Sequence, residues 1–172
     1  MSEFNSAKFL TEVEDLHLNI LLKREMSRDT LMLTLLRRYG MRPGELLSLR
    51  PCDLNPSGKS MLIKGLKGSR SRELPLSDVM WDWLYAESQK CPDPEMRVFN
   101  ICLRRLQGIW EWWRPVKKPL RSLRHTFAVE MCIRTKDIHL VRNLLGHKNI
   151  NNTLIYLDYV QSQDDFRKAL VG

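Results

Sequence analysis

The residues with the greatest chemical reach lie in one stretch, Leu120–Tyr159, LRSLRHTFAVEMCIRTKDIHLVRNLLGHKNINNTLIYLDY. It contains Arg121 and Arg124 three residues apart, His147 directly after a Leu-Leu-Gly, and Tyr156 nine residues beyond that histidine. Arginine grips a phosphodiester through the fixed fork of its N–H groups. A histidine can donate to an oxyanion, and a tyrosine phenol can attack phosphorus and hold a covalent link. Residues of these types suggest cleavage and rejoining of a nucleic-acid backbone.

Two upstream segments extend the pattern. In Gly40-Met41-Arg42-Pro43-Gly44-Glu45, Pro43 suits the first turn of a short helix. Arg42 then stands at the N-terminal mouth of that helix, where free N–H groups favour an anion. Further on, the strand candidates Met61-Leu62-Ile63 and Glu73-Leu74-Pro75-Leu76 flank a basic Gly/Ser turn, Lys64–Arg72, which reads as a β-hairpin. A lysine on such a tip can reach into a groove and protonate a leaving oxygen.

The elements that must position these groups are mostly helical. Thr11 and Glu14 form a capping box for a helix ending near Arg24, with Val13, Leu16, Ile20 and Leu21 as its apolar stripe. Asp29 is the expected cap of a second helix, which buries Leu31, Met32, Leu35 and Leu36 and is stopped by Gly40. Ser77 or Asp78 opens another helix. A helix from about Glu95 is expected to carry Val98, Ile101, Leu103, Leu106 and Ile109. Trp112 and Trp113 read as core or as anchors for a partner helix, with base stacking as the alternative. Ser122 and Asp137 open two more helices, and Gly146 ends the second. A short helix from Asn151 or Asn152 carries Tyr156 and Tyr159, and residues 161–172 read as a separate small helix with Phe166, Leu170 and Val171 as its apolar side.

Composition narrows the class. The 172 residues have the hydrophobic (43%) and charged (28%) fractions of a globular protein, and they read as a single domain over 1–172. No apolar run reaches the ~18–20 residues of a membrane span, and the N-terminus lacks a secretory pattern, so a cytoplasmic, nucleoid-associated protein is expected. The four cysteines are scattered without ligand spacing, so neither a metal nor a disulfide framework is expected, and Cys102 and Cys132 read as core. A net charge of +8 suits a polyanionic partner.

With these residues in view, the chain resembles the catalytic domain of the tyrosine recombinase (phage integrase) family. GMRPGELLSLRPCDL resembles its first arginine box, LRSLRHTFA its second, NLLGHKNINNTLIYLDYV its histidine and tyrosine box, and KGLKGSRSRELPL its lysine hairpin, in family order across Gly40–Val160. The resemblance implies a mainly α fold with a small antiparallel β-sheet (α+β). It implies Arg42 and Arg124 on the scissile phosphate, Lys67 as acid for the 5′ leaving oxygen with Lys64 as fallback, His147 as donor to a non-bridging oxygen, Tyr156 as nucleophile and Glu45 as buttress. It further implies double-stranded DNA as partner, self-association on DNA, accessory DNA-bending proteins, and no cofactor.

Two departures stand out. The second box usually reads His-x-x-Arg, and here Arg121 takes the histidine's place. Arginine, with a pKa above ~12, cannot accept the tyrosine proton but can still donate to the phosphate, as a lysine does in related topoisomerases. The family's N-terminal core-binding domain is also not expected within 1–172. The function implied is a site-specific recombinase working through a 3′-phosphotyrosine. The alternatives are a weakened DNA-binding module of the same fold and a type IB topoisomerase-like relaxing enzyme.

Overall fold

The computed structural model describes residues 4–66 and 68–171. Among these residues, eight α-helices and three short strands follow one another as α1 (Glu12–Arg24), α2 (Arg28–Tyr39), α3 (Pro43–Leu47), β1 (Leu54–Asn55), β2 (Ser60–Ile63), β3 (Arg72–Pro75), α4 (Asp78–Ser88), α5 (Leu103–Trp113), α6 (Ser122–Thr135), α7 (Ile138–Leu145) and α8 (Asn151–Val171). The fold is mainly α with a small antiparallel sheet, as the sequence led us to expect.

The sheet runs β1-β2-β3, with Leu54 opposite Met61 and Leu62 opposite Glu73. The alternation of strand side chains turns Met61, Ile63 and Leu74 into the core, while Leu62 faces outward. β1 escaped sequence reading because two residues are too few to show a period.

α2 is the central helix. Ser27, not Asp29, caps it, accepting from the Thr30 amide while the Thr30 hydroxyl accepts from the Ser27 amide. It buries Leu31, Met32, Leu33, Leu35 and Leu36 against the remaining elements. Its Arg37 is buried too, gripping Asp15 of α1 through both carboxylate oxygens at 2.6 and 2.7 Å and Glu130 of α6 at 2.8 Å. Three helices are thereby tied by one guanidinium, and the charge is fully paired, as a buried charge must be.

Five further expectations are corrected. In α1 the capping box of Thr11 and Glu14 is present, but Leu18 and Leu22 face inward while Val13, Leu16 and Ile20 are exposed. The helix from Glu95 begins only at Leu103, and Val98 and Phe99 enter the core from irregular chain, anchored by the Val98 amide on the Leu49 carbonyl at 2.9 Å. Cys102 is exposed, although Cys132 is buried, and Trp112 is 85% exposed, while its neighbour Trp113 packs on the core. The two C-terminal helices are one, α8, because no glycine or proline interrupts 151–171.

Gly40 ends α2 in the left-handed region at φ +57°, and a Cβ there would lie 2.3 Å from Cδ1 of Phe127 on α6. Both the backbone and the close approach of α6 therefore require glycine. Gly40→Ala is expected to lower unfolding stability by about 2–4 kcal/mol, read as a fall in the urea midpoint at unchanged m-value.

Candidate active site

The site is assembled around the carboxylate of Glu45, which is 2% exposed. Glu45 is the third residue of the short helix α3. Its position lets it reach back and accept from the Arg42 amide at 2.8 Å, closing the helix N-terminus. The same carboxylate takes a forked pair of bonds from Arg72 at 3.2 and 3.0 Å, one from the Arg42 guanidinium at 3.2 Å and one from the Ser69 hydroxyl at 3.2 Å. Arg124 stands 3.7 Å away. Burial alone would raise the Glu45 carboxyl. The bonds and charge of Arg72, the Arg42 amide and the charge of Arg124 outweigh it and hold the group below the ordinary carboxylate range.

Arg124, on the first turn of α6, is held by two helix ends. Its guanidinium donates to the Gly40 carbonyl at 2.5 Å and to the Leu145 carbonyl at 2.7 Å, at the C-termini of α2 and α7. Such carbonyls lack helical partners and carry the negative end of the helix dipole. Burial, together with the charges of Arg42 and Arg72, lowers the Arg124 pKa to about 9, so it stays charged at neutral pH. A phosphate arriving beside it relieves that repulsion.

The hairpin and the α7–α8 corner meet at a single β-bridge between Ser69 and His147, reinforced by the Arg70 amide on the Gly146 carbonyl at 2.8 Å. Gly146 is left-handed at φ +68°, and a Cβ would meet the Arg70 carbonyl oxygen at 2.8 Å. His147 is buried, with Nδ1 2.8 Å from the Thr153 hydroxyl. Burial and the charges of Arg124, Arg42 and Arg72 lower its pKa to about 3, so the ring is neutral. In the tautomer in which the Thr153 hydroxyl donates to Nδ1, the ring proton sits on Nε2, free to donate to an oxyanion.

Tyr156, on α8, is 3% exposed. Its hydroxyl lies 2.9 Å from Nδ1 of His125. The ring of Phe4 packs edge-on against Tyr156 with centroids 4.9 Å apart, and against His125 at 5.6 Å. Burial raises the phenol pKa, and the opposing charges of Arg124 and Arg42 offset only part of that rise.

The structure thus brings together Arg42, Glu45, Arg124, His147 and Tyr156 from four separate segments. Arg121, at the N-cap of α6, is exposed and makes no cap bond, but its charge bears on His125. Lys67 lies outside the described residues. Lys64 is engaged by Asp53 at 2.7 Å. Four residues of the site were not singled out from sequence: Ser69, Arg72, His125 and Thr153. All four stood within motifs already in view, Ser69 and Arg72 in the hairpin, His125 in LRSLRHTFA and Thr153 in the histidine and tyrosine box, but nothing in their spacing marked them out.

Glu45→Gln leaves Arg72 with a neutral partner in a buried position, and is expected to cost about 3–5 kcal/mol at pH 7. Because the folded carboxyl is depressed below its ordinary 4.5, its contribution is fully present above that value and is lost as pH falls through the lowered one. Chemical unfolding between pH 3 and 7 should therefore show a steeper acid slope in the wild type than in Glu45→Gln.

Comparison with known proteins agrees with this architecture. The phage integrase family profile matches residues 8–163. A tyrosine recombinase of Pseudothermotoga lettingae is 32% identical over 146 residues, covering 79% of this chain and 51% of that protein. Among solved structures, the XerH site-specific recombinase in a post-cleavage complex with a palindromic difH substrate superimposes with a TM-score of 0.73 at 22% identity, over 94% of this chain and 52% of that one. The catalytic domain of bacteriophage HP1 integrase superimposes with a TM-score of 0.65 at 22% identity, over 95% of this chain and 94% of that one. This chain spans about half the length of the relatives it matches. With a profile match across nearly its whole length, the chain belongs to the phage integrase family.

Proposed function

We propose that this chain cleaves and rejoins double-stranded DNA at specific sites through a covalent 3′-phosphotyrosine on Tyr156. The observation that carries the reading is the cluster of Arg42, Arg72 and Arg124 around Glu45, with the Tyr156 hydroxyl bonded to His125 on the helix that carries Arg124. The relatives' description as tyrosine recombinases supports it.

The chemistry follows from the charge balance. Arg42, Arg72 and Arg124 face the single carboxylate of Glu45, so the pocket holds an excess of positive charge. A diester phosphate partly offsets that excess, and the pentavalent transition state, with more charge on its equatorial oxygens, offsets it further. Donors fixed in place before the reaction therefore favour the transition state over the ground state. In this reading Arg42 and Arg124 hold the non-bridging oxygens and His147 donates from Nε2. Arg121 adds charge at the rim, and Lys67 protonates the departing 5′ oxygen. The phosphotyrosine conserves the diester bond energy for religation, so no cofactor is required.

Recombination needs paired sites and hence more than one protomer. On the distal half of α8, Phe166 and Leu170 are 58% and 83% exposed, an apolar edge suited to a neighbouring copy of the chain on DNA. No helix among the described residues is long and apolar enough to cross a membrane. We assign the protein to the cytoplasm, associated with the nucleoid.

The test is covalent trapping on nicked duplexes of randomised sequence, in which the short 5′ fragment diffuses away after cleavage. A denaturation-resistant protein–DNA adduct is expected from the wild type and none from Tyr156→Phe, and sequencing the trapped DNA gives the site. An adduct that persists in Tyr156→Phe would move the nucleophile elsewhere. Salt-sensitive DNA binding with no adduct at all would favour the weakened DNA-binding module.

A further inference from the structure

If Tyr156 attacks phosphorus, its phenol must lose a proton, and the residue at the family's usual acceptor position is Arg121, which cannot take one. His147 turns its Nδ1 to the Thr153 hydroxyl, whereas the phenol's bond is to a different ring. One other nitrogen base is at the reacting oxygen. His125, one residue beyond Arg124 on the first turn of α6, places Nδ1 2.9 Å from the Tyr156 hydroxyl. From this geometry, and resting on the function proposed above, we infer that His125 is the catalytic base that accepts the Tyr156 proton during cleavage and returns it during rejoining.

The surroundings suit that role. The His125 and Tyr156 rings lie 5.8 Å apart at centroid with a 47° tilt, and the edge contacts of Phe4 close one side of the pair. Excluding water there strengthens the single hydrogen bond and limits competing proton exchange. The charged groups facing the imidazole are Arg121 and Arg124 from its own helix and Lys8 from the N-terminal turn, with Tyr156 opposite on α8. Burial first, then those three cations, lower the His125 pKa to about 4. The imidazole is therefore uncharged at neutral pH, and in the tautomer protonated on Nε2 its Nδ1 lone pair points at the phenol.

A base so depressed is weak in the free protein. Bound DNA changes this, because phosphates paired with Arg121 and Arg124 cancel the repulsion an imidazolium would meet, and charge growing on the phosphorane oxygens attracts it. The base thus gains strength as the transition state forms, where general-base catalysis acts. In the step itself the proton moves from Tyr156 Oη to His125 Nδ1, the Oη–P bond forms and the P–O5′ bond breaks. The 5′ oxygen receives its proton from the leaving-group acid, assigned above to Lys67. In rejoining, the 5′-hydroxyl gives its proton back to Lys67 as its oxygen attacks phosphorus, Oη–P breaks, and Oη recovers its proton from His125.

The discriminating variant is His125→Asn, which can keep a hydrogen-bond acceptor facing the phenol but has no basicity near neutral pH. Single-turnover cleavage of the trapped nicked duplex should fall by roughly 10²–10⁴-fold at pH 7, with DNA affinity unchanged. The variant's rate should rise with hydroxide up to pH 9, and free imidazole should restore part of it. Wild-type cleavage should hold to well below pH 6.5, as expected of a base whose pKa is depressed. An active wild type whose rate and pH profile are shared by His125→Asn overturns the assignment and leaves only a positioning bond. Absence of any wild-type adduct overturns the proposed function and this assignment together. Independently of activity, histidine ¹⁵N spectra at pH 7 should show Nδ1 of His125 unprotonated, and a protonated Nδ1 excludes it as the base.

Discussion

A single buried carboxylate, that of Glu45, sets the terms for the rest of the molecule. Its oxygens receive the Arg42 amide and guanidinium, the Arg72 fork and the Ser69 hydroxyl, with Arg124 3.7 Å away. A lone carboxylate transferred to such a place is prohibitively costly, and a cluster of guanidiniums without it would repel. Each therefore exists only with the others. Because Arg42 comes from the head of α3, Ser69 and Arg72 from the hairpin, and Arg124 from α6, satisfying one anion fixes the relative placement of three parts of the chain.

The same economy governs Arg124. Its donors end on the Gly40 and Leu145 carbonyls, which cap α2 and α7. Folding thus orients the guanidinium with backbone groups that needed partners anyway. Rotation about the side chain is suppressed before any phosphate arrives, which is the preorganisation electrostatic catalysis requires. Gly40 is glycine because α6 comes close enough for Phe127 to occupy the space of a Cβ. A glycine at a helix end is in this way tied to the placement of the proposed phosphate donors.

Much of this was legible in the sequence, for definite reasons. Arg42, Arg124 and His147 sit beside local punctuation, namely Pro43, the Ser122 helix start and the Gly146 stop, and short-range rules read such punctuation well. The polar partners of Glu45 on the hairpin were not legible, since Ser69 and Arg72 lie 24 and 27 residues from it and no pattern of spacing encodes a hairpin's fold-back distance. The inward face of α1 was misread because its apolar residues spread around the helix, so that only packing selects Leu18 and Leu22 over Val13 and Leu16. Similarly, Val98 lay in an apolar stretch of helical spacing, yet its amide is taken by the Leu49 carbonyl, and tertiary pairing overrode local preference. His125 was hidden for a different reason. Its neighbour Arg124 explained the motif, and a helix gives no sign in sequence that residue 125 faces α8.

The replacement of a histidine by Arg121 then takes on a physical meaning. Cation and base cannot be the same side chain, and this chain separates them. Arg121 contributes charge at the exposed rim, while the basic nitrogen sits four residues along the same helix face, under the Phe4 ring. The cation depresses the base in the free protein, and burial raises the phenol it faces. Both shifts oppose proton transfer while the pocket is empty, which keeps a nucleophilic tyrosinate from forming without a target. A DNA backbone laid across Arg121 and Arg124 relieves the first shift, because its negative charge makes imidazolium easier to form and occupies the arginines that repelled it. In the proposed reaction, the binding energy of the phosphates is thereby coupled to proton transfer from Tyr156 to His125.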